Sequence, residues 1–276
     1  MTTTDLLLTA WDWDPLIITI CFAALAACAS AFRGGLQARP GYLAAAVLVF
    51  ALALASPIEV LSRDYLFSAH MLQHLLLVLV VPPLALLALP AEGTPRTREL
   101  SPTPSTPPLG FAVPAAWALG TGAMWLWHAP TLCDAASRSL TVHRLQTLSL
   151  VGMGAAFWWP IFAPRAQRRL EPLAAMLYLF TACLACTVLG FLVTFSPIEV
   201  CSVYAHPVDR LGALSLLRTG WGLTPKVDQE IGGLMMWVPP CIGYAIGILV
   251  MLGRYYRADD APLPDEPTPI RVKEGA

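Results

Sequence analysis

Long apolar runs alternate with short polar or proline-rich breaks along this chain, and the runs exceed the length of ordinary strands. A helix needs roughly 20 mostly apolar residues to cross a bilayer. Runs of that kind cover about residues 16–32, 41–56, 65–90, 110–128, 145–163, 172–195 and 231–252, the second being short for a full span. The pattern predicts an all-α fold, a polytopic membrane helix bundle of about seven transmembrane helices.

The breaks are legible too. Glu92 to Pro108 holds five prolines with several Ser and Thr and reads as an exposed loop. From Arg254 onward the chain is charged and Pro-rich and reads as a flexible cytoplasmic tail. The expected division is a membrane domain over 1–253 and a tail over 254–276, with no internal repeat and no separate soluble domain. No basic stretch precedes the first apolar run, so no cleaved signal peptide is expected.

Composition agrees with the pattern. Of 276 residues 57% are hydrophobic and 13% charged, and mean hydropathy is +0.63. A soluble domain carries about a quarter charged residues. The net charge of −1 gives no support to nucleic-acid binding or to a polybasic lipid patch. With the N-terminus outside, the inner segments hold Arg33, Arg39, Arg96, Arg98, Arg165, Arg168, Arg169, Arg254, Arg257, Arg271 and Lys273. The outer ones hold Arg63, Arg138, Arg144, Arg210, Arg218 and Lys226. Cytoplasmic loops are enriched in Lys and Arg, so the bias predicts N-terminus out and C-terminus in.

On that topology all five histidines fall on the outer side. His70 and His74 lie in the first turns of the third span, His128 ends the fourth, His143 precedes the fifth, and His206 sits in an outer loop where solvation explains it. In His70-Met71-Leu72-Gln73-His74 the two imidazoles share one helix face a turn apart. Met71 can add a thioether, and imidazole with thioether suits copper better than an oxygen-seeking cation. Two interfacial histidines can instead bond loop carbonyls and water. His128 follows Trp127 and precedes Ala129-Pro130, where an aromatic belt and a helix stop explain the neighbours but not the histidine. Asp228 and Glu230 open the last span, where acids oppose the helix dipole. Gly232 and Gly233 permit close packing. Met235 or Met236, about two turns inside, can meet a soft cation or fill the core. Asp64 can support His70 or pair with Arg63. The candidate metal ligands are therefore His70, His74, Met71, His128, His143, Asp228 and Met235.

Seven cysteines at 21, 28, 133, 183, 186, 201 and 241 do not read as a disulfide framework, because five lie in or beside apolar stretches. Cys183 and Cys186 form a C-x-x-C inside a span, a spacing that binds soft metals, runs redox chemistry or simply packs. Walker loops, dinucleotide fingerprints, G-x-S-x-G elbows and H-E-x-x-H pairs are absent, and no acid stands in a span centre. No enzyme chemistry is expected.

Four segments together resemble the CtaG-type cytochrome c oxidase assembly factors. They are Ser56-Pro57 with Tyr65 to His74, Trp127-His128-Ala129-Pro130, Thr194-Phe195-Ser196-Pro197, and Asp228-Gln229 with Gly232 to Trp237. The resemblance runs from about Trp11 to Arg254. It implies a multi-pass protein of the bacterial plasma (inner) membrane that helps haem–copper oxidases of the respiratory chain mature. It also implies a chaperone-like supply of copper, as Cu(I), at the periplasmic face. The implied partners are cytochrome c oxidase subunits and periplasmic copper donors, within membrane lipid. The family carries a Glu-His pair early in the fifth span, and here Gln146-Thr147 stand in its place. Alternatives are a haem b-binding electron-transfer protein, in which facing histidines ligate the iron, a copper transporter, and a scaffold without metal.

Overall fold

The computed structural model describes residues 1–33, 39–90, 109–165 and 168–259. The expected loop over 92–108 and tail residues 260–276 lie outside the described residues. Helices are α1 (Thr3–Thr9), α2 (Pro15–Arg33), α3 (Pro40–Ala55), α4 (Pro57–Asp64), α5 (Phe67–Leu75) and α6 (Val81–Ala88). They continue with α7 (Leu109–Trp127), α8 (Pro130–Arg138), α9 (Leu140–Phe162), α10 (Pro172–Thr194), α11 (Ser202–Ala205) and α12 (Pro225–Asp259). Among the described residues there is no strand.

Proline opens six of these helices, α2, α3, α4, α8, α10 and α12. Its fixed φ suits the first turn, where a missing N–H costs nothing. Ser56 ends α3 and starts α4: its hydroxyl bonds the Leu52 carbonyl and accepts from the Ile58 N–H. The chain bends by 46° there, so the short second run is one limb of a broken helix pair. The last helix passes Arg254 and ends at Asp259, further than the expected start of the tail.

Among the described residues, four helical segments are long and apolar enough to cross a membrane: Phe67–Ala88, Leu140–Phe162, Pro172–Thr194 and Pro225–Arg257. The bent pair α3–α4 makes a fifth if it counts as one span. Much apolar surface points outward, including Phe22, Leu177, Phe180, Phe191, Ile246 and Leu249. Water would not tolerate such patches on a monomer, whereas lipid does.

Phe67–Ala88 is continuous but irregular. A π-helical segment, Leu76–Val80, joins α5 to α6 directly after His74. Pro82 has no N–H to offer the Val78 carbonyl, and the Trp158 indole N–H of α9 donates to it instead at 3.0 Å. The irregular turn is thus paid for by a side chain of a neighbouring helix. The most extensive packing is between α10 and α12, while α12 also packs on α5 and α9 packs on α7. A Cβ on Gly232 would meet the Phe67 ring at 2.4 Å and Met71 at 3.2 Å. Glycine at this position lets α12 press directly against the helix that carries His70 and His74.

Candidate metal-binding cluster

One end of the bundle collects the starts of α5, α9 and α12 with the ends of α7 and α10. Asp228 bridges the first to the third of these starts. Its carboxylate accepts from the N–H groups of Phe67 and Ser68 and from the Ser68 hydroxyl. Gln229, next along α12, accepts from the Val200 N–H and donates to the carbonyls of Val193 and Ile198. Both oxygens of Asp228 are engaged by the first turn of α5, so this residue positions the histidine helix. Met236 is buried in the same core as Met71, Met124 and Trp127, and Met235 packs against that core from its edge.

Four of the five histidines meet at this end, all 5% exposed or less. Ring centroids lie 4.2 Å apart for His70–His74, 5.4 Å for His74–His128 and 6.4 Å for His70–His143. His206 stands apart and exposed, as solvation requires. Asp64 pairs with Arg63 at 3.8 Å.

The four rings are not equivalent. His143 Nε2 approaches Glu59 Oε1 at 3.3 Å. His128 Nδ1 lies 2.5 Å from the Met124 carbonyl. A carbonyl only accepts, so the ring proton sits on Nδ1. A buried imidazole with no carboxylate beside it is neutral, which leaves a lone pair on Nε2. That lone pair faces the Met71 sulfur at 3.1 Å. Two electron-pair donors therefore meet with no proton between them.

His70 and His74 are stranded more completely. Neither ring nitrogen of either residue has a hydrogen-bond partner. The Gln146 amide faces His74 without closing a well-aligned hydrogen bond, and it too lacks partners. Buried polar groups are nearly always satisfied, so a group of orphans calls for an explanation such as a bound ion or water. Their donor set is imidazole nitrogen with thioether sulfur. Among the described residues no three His, Cys, Asp or Glu side chains converge as a formed metal site. The cluster gathers donors without closing a cage around one point.

Glu59 was not foreseen from the sequence, yet it is 5% exposed and central. Gln73, inside the His-x-x-x-His motif, donates to Glu59 Oε2 and to the Ala53 carbonyl. Ser62 donates to Gln73 Oε1 at 3.0 Å, and Arg63 stands 3.8 Å from Glu59. Ser-Pro-Ile-Glu-Val occurs at 56–60 and again at 196–200, a five-residue repeat where none was expected. In both copies the serine hydroxyl accepts from the isoleucine N–H. The second copy leaves Glu199 exposed, so the repeat encodes a turn and the bend after Ser56 does the burying.

The cysteine expectation needs correction at two positions. Cys133, in α8, and Cys201, just before α11, form a disulfide with Cα atoms 5.8 Å apart. It ties two connecting segments together over the histidines. Beside it Tyr204 donates to the Ser62 carbonyl at 2.6 Å and its ring lies 5.8 Å from that of His70. Burial pushes the Tyr204 phenol above its usual range. Cys21, Cys183, Cys186 and Cys241 are free thiols.

Residues 25–258 match the family described as cytochrome c oxidase caa3 assembly factor. No curated protein and no solved structure gives a match.

Proposed function

This chain belongs to the cytochrome c oxidase caa3 assembly factor family, and from that premise we propose that it receives Cu(I) at the histidine end and hands it to an oxidase subunit. The ion is cargo, and the protein is a carrier with no catalytic step. The observation that carries this reading is the meeting of the His128 lone pair with the Met71 thioether beside the unpartnered His70 and His74. Soft sulfur with imidazole selects Cu(I) over hard cations. A metal-binding histidine commonly donates its other N–H to a carbonyl, as His128 does to Met124. His143, held by Glu59, stands at the edge of the donor set and serves where the family's histidine is replaced by Thr147. Incomplete convergence suits a carrier, because a closed tetrahedral site would release its ion slowly.

In this reading the bundle spans the bacterial plasma membrane about seven times, with the N-terminus and the histidine end facing the periplasm. The disulfide at that end supports it, since disulfides persist in oxidising compartments. The partners are oxidase subunits and periplasmic copper donors. The test is complementation: a strain lacking this protein receives the parent chain or a His70→Ala/His74→Ala variant. The reading expects normal variant abundance with oxidase that contains haem but lacks copper. Fully copper-loaded, active oxidase in the variant strain would contradict it.

A further inference from the structure

Soft donors do not stop at the outer end. Met71, Met124 and Met236 share one buried core. Directly below, Met124 and Met236 line a small cavity with Cys186, Thr121 and Ala185. Cys183 lies one turn further along α10, and Cys241 of α12 packs against that turn. The Cys241 sulfur is 3.3 Å from the Thr187 hydroxyl and 3.7 Å from the Cys183 carbonyl. Cys183 precedes the outer end of α10 by three turns, about 16 Å at the helical rise. That is about half the hydrocarbon thickness.

Packing alone does not call for these thiols. The close approach of α10 and α12 is made by glycine, since a Cβ on Gly190 would meet Trp237 at 2.5 Å.

We propose that Cys183 and Cys241 form a second Cu(I) site at mid-depth, with Cys186 as the soft donor between it and the methionines. The inference rests on the copper reading of the outer cluster. Thiolate sulfur is the preferred ligand of Cu(I), and two ligands suffice for that ion. On binding, one thiol gives up its proton to solvent, the second ligates as a thiol, and copper remains Cu(I). The product carries no net charge, which matters where lipid surrounds the seam. The site would hold a second ion in reserve behind the outer cluster.

The test is an anaerobic Cu(I) titration of the full chain in lipid nanodiscs against a chromophoric Cu(I) chelator, with copper X-ray absorption on the loaded samples. The expected parent stoichiometry is two ions. Cys183→Ser/Cys241→Ser should lose one ion and most sulfur neighbours, while His70→Ala/His74→Ala should lose the other and most nitrogen neighbours. If the cysteine variant binds as much copper as the parent with unchanged sulfur neighbours, the mid-depth site is wrong and the outer one stands. Loss of all binding in the histidine variant alone also overturns it. A parent that binds no copper overturns both readings. In the unsubstituted protein, Cu(I) should protect Cys183 and Cys241 from a membrane-permeant maleimide, and equal labelling with and without copper would contradict the proposal.

Discussion

The Asp228 carboxylate accepts the Phe67 N–H at 2.8 Å, tying the last helix to the first turn of the helix that carries His70 and His74. The same group takes the Ser68 N–H at 3.0 Å. Helix starts leave N–H groups without partners, and a buried start with no water must find them in a side chain. Asp228→Ala removes this cap and strands two N–H donors together with the Ser68 hydroxyl. The expected cost is about 2–4 kcal/mol, seen as a lower apparent melting temperature in detergent. Copper binding should weaken with it, because the histidine helix loses its anchor. Asp228→Asn, which keeps an acceptor, should fall between parent and alanine variant.

Glu59 gathers Gln73, Arg63 and His143. Removing one member of a buried charged network costs about 3–5 kcal/mol. Glu59→Ala should approach that loss in an unfolding titration, and Glu59→Gln should lose less. A Glu59→Ala variant as stable as the parent would show that the network contributes nothing.

Met71→Leu separates metal chemistry from packing. Volume-conserving core swaps cost less than about 1.5 kcal/mol, so the fold should persist. The His128 lone pair then faces a methyl group, and Cu(I) affinity should fall in a chelator competition. Unchanged affinity would remove Met71 from the ligand set.

Four of the expected spans, and a fifth as a bent pair, were legible because a bilayer demands long apolar runs, and the shared end of four histidines followed from alternating those runs. Glu59 was not legible, since it sits outside an apolar run and is buried only by the 46° bend after Ser56. The Cys133–Cys201 bond was not legible either. Its cysteines are 68 residues apart, and no local spacing announces a link made by the meeting of two connecting segments. A carboxylate at a helix start suggests its own helix as partner, whereas Asp228 caps the first turn of α5, a pairing that no local spacing announces.

The disulfide offers a test of sidedness. Both its cysteines are buried, so the probe is a cysteine placed nearby at the exposed Val208: an impermeant maleimide added outside intact spheroplasts should label a Val208→Cys variant. Labelling only after the inner face is exposed would reverse the orientation.

Asp14 pairs with Arg144 at 2.7 Å and Asp12 with Arg63 at 3.2 Å, fastening the N-terminal segment beside a cavity lined by Glu59 and His143. Burial works against the Asp14 carboxylate, but the Arg144 guanidinium and the Leu16 N–H outweigh it and hold its pKa below the usual 3.8. A depressed carboxylate stabilises the fold above its unfolded pKa and loses that contribution as pH falls through the folded value. Amide exchange over residues 11–16 should therefore stay slow at neutral pH and accelerate only in the acid range below 3.8. Arg144→Gln should lower the protection and weaken its pH dependence, with the Leu16 N–H still favouring the ionised carboxylate.

The central claim is that the stranded imidazoles and the Met71 thioether take up copper. Its most direct test is metal analysis of the purified chain after loading with Cu(I) under reducing conditions, beside the His70→Ala/His74→Ala variant. The account predicts copper in the parent with nitrogen and sulfur neighbours by X-ray absorption, and loss of the nitrogen-bound ion in the variant. Equal copper in both, or iron with a haem spectrum in place of copper, would contradict it.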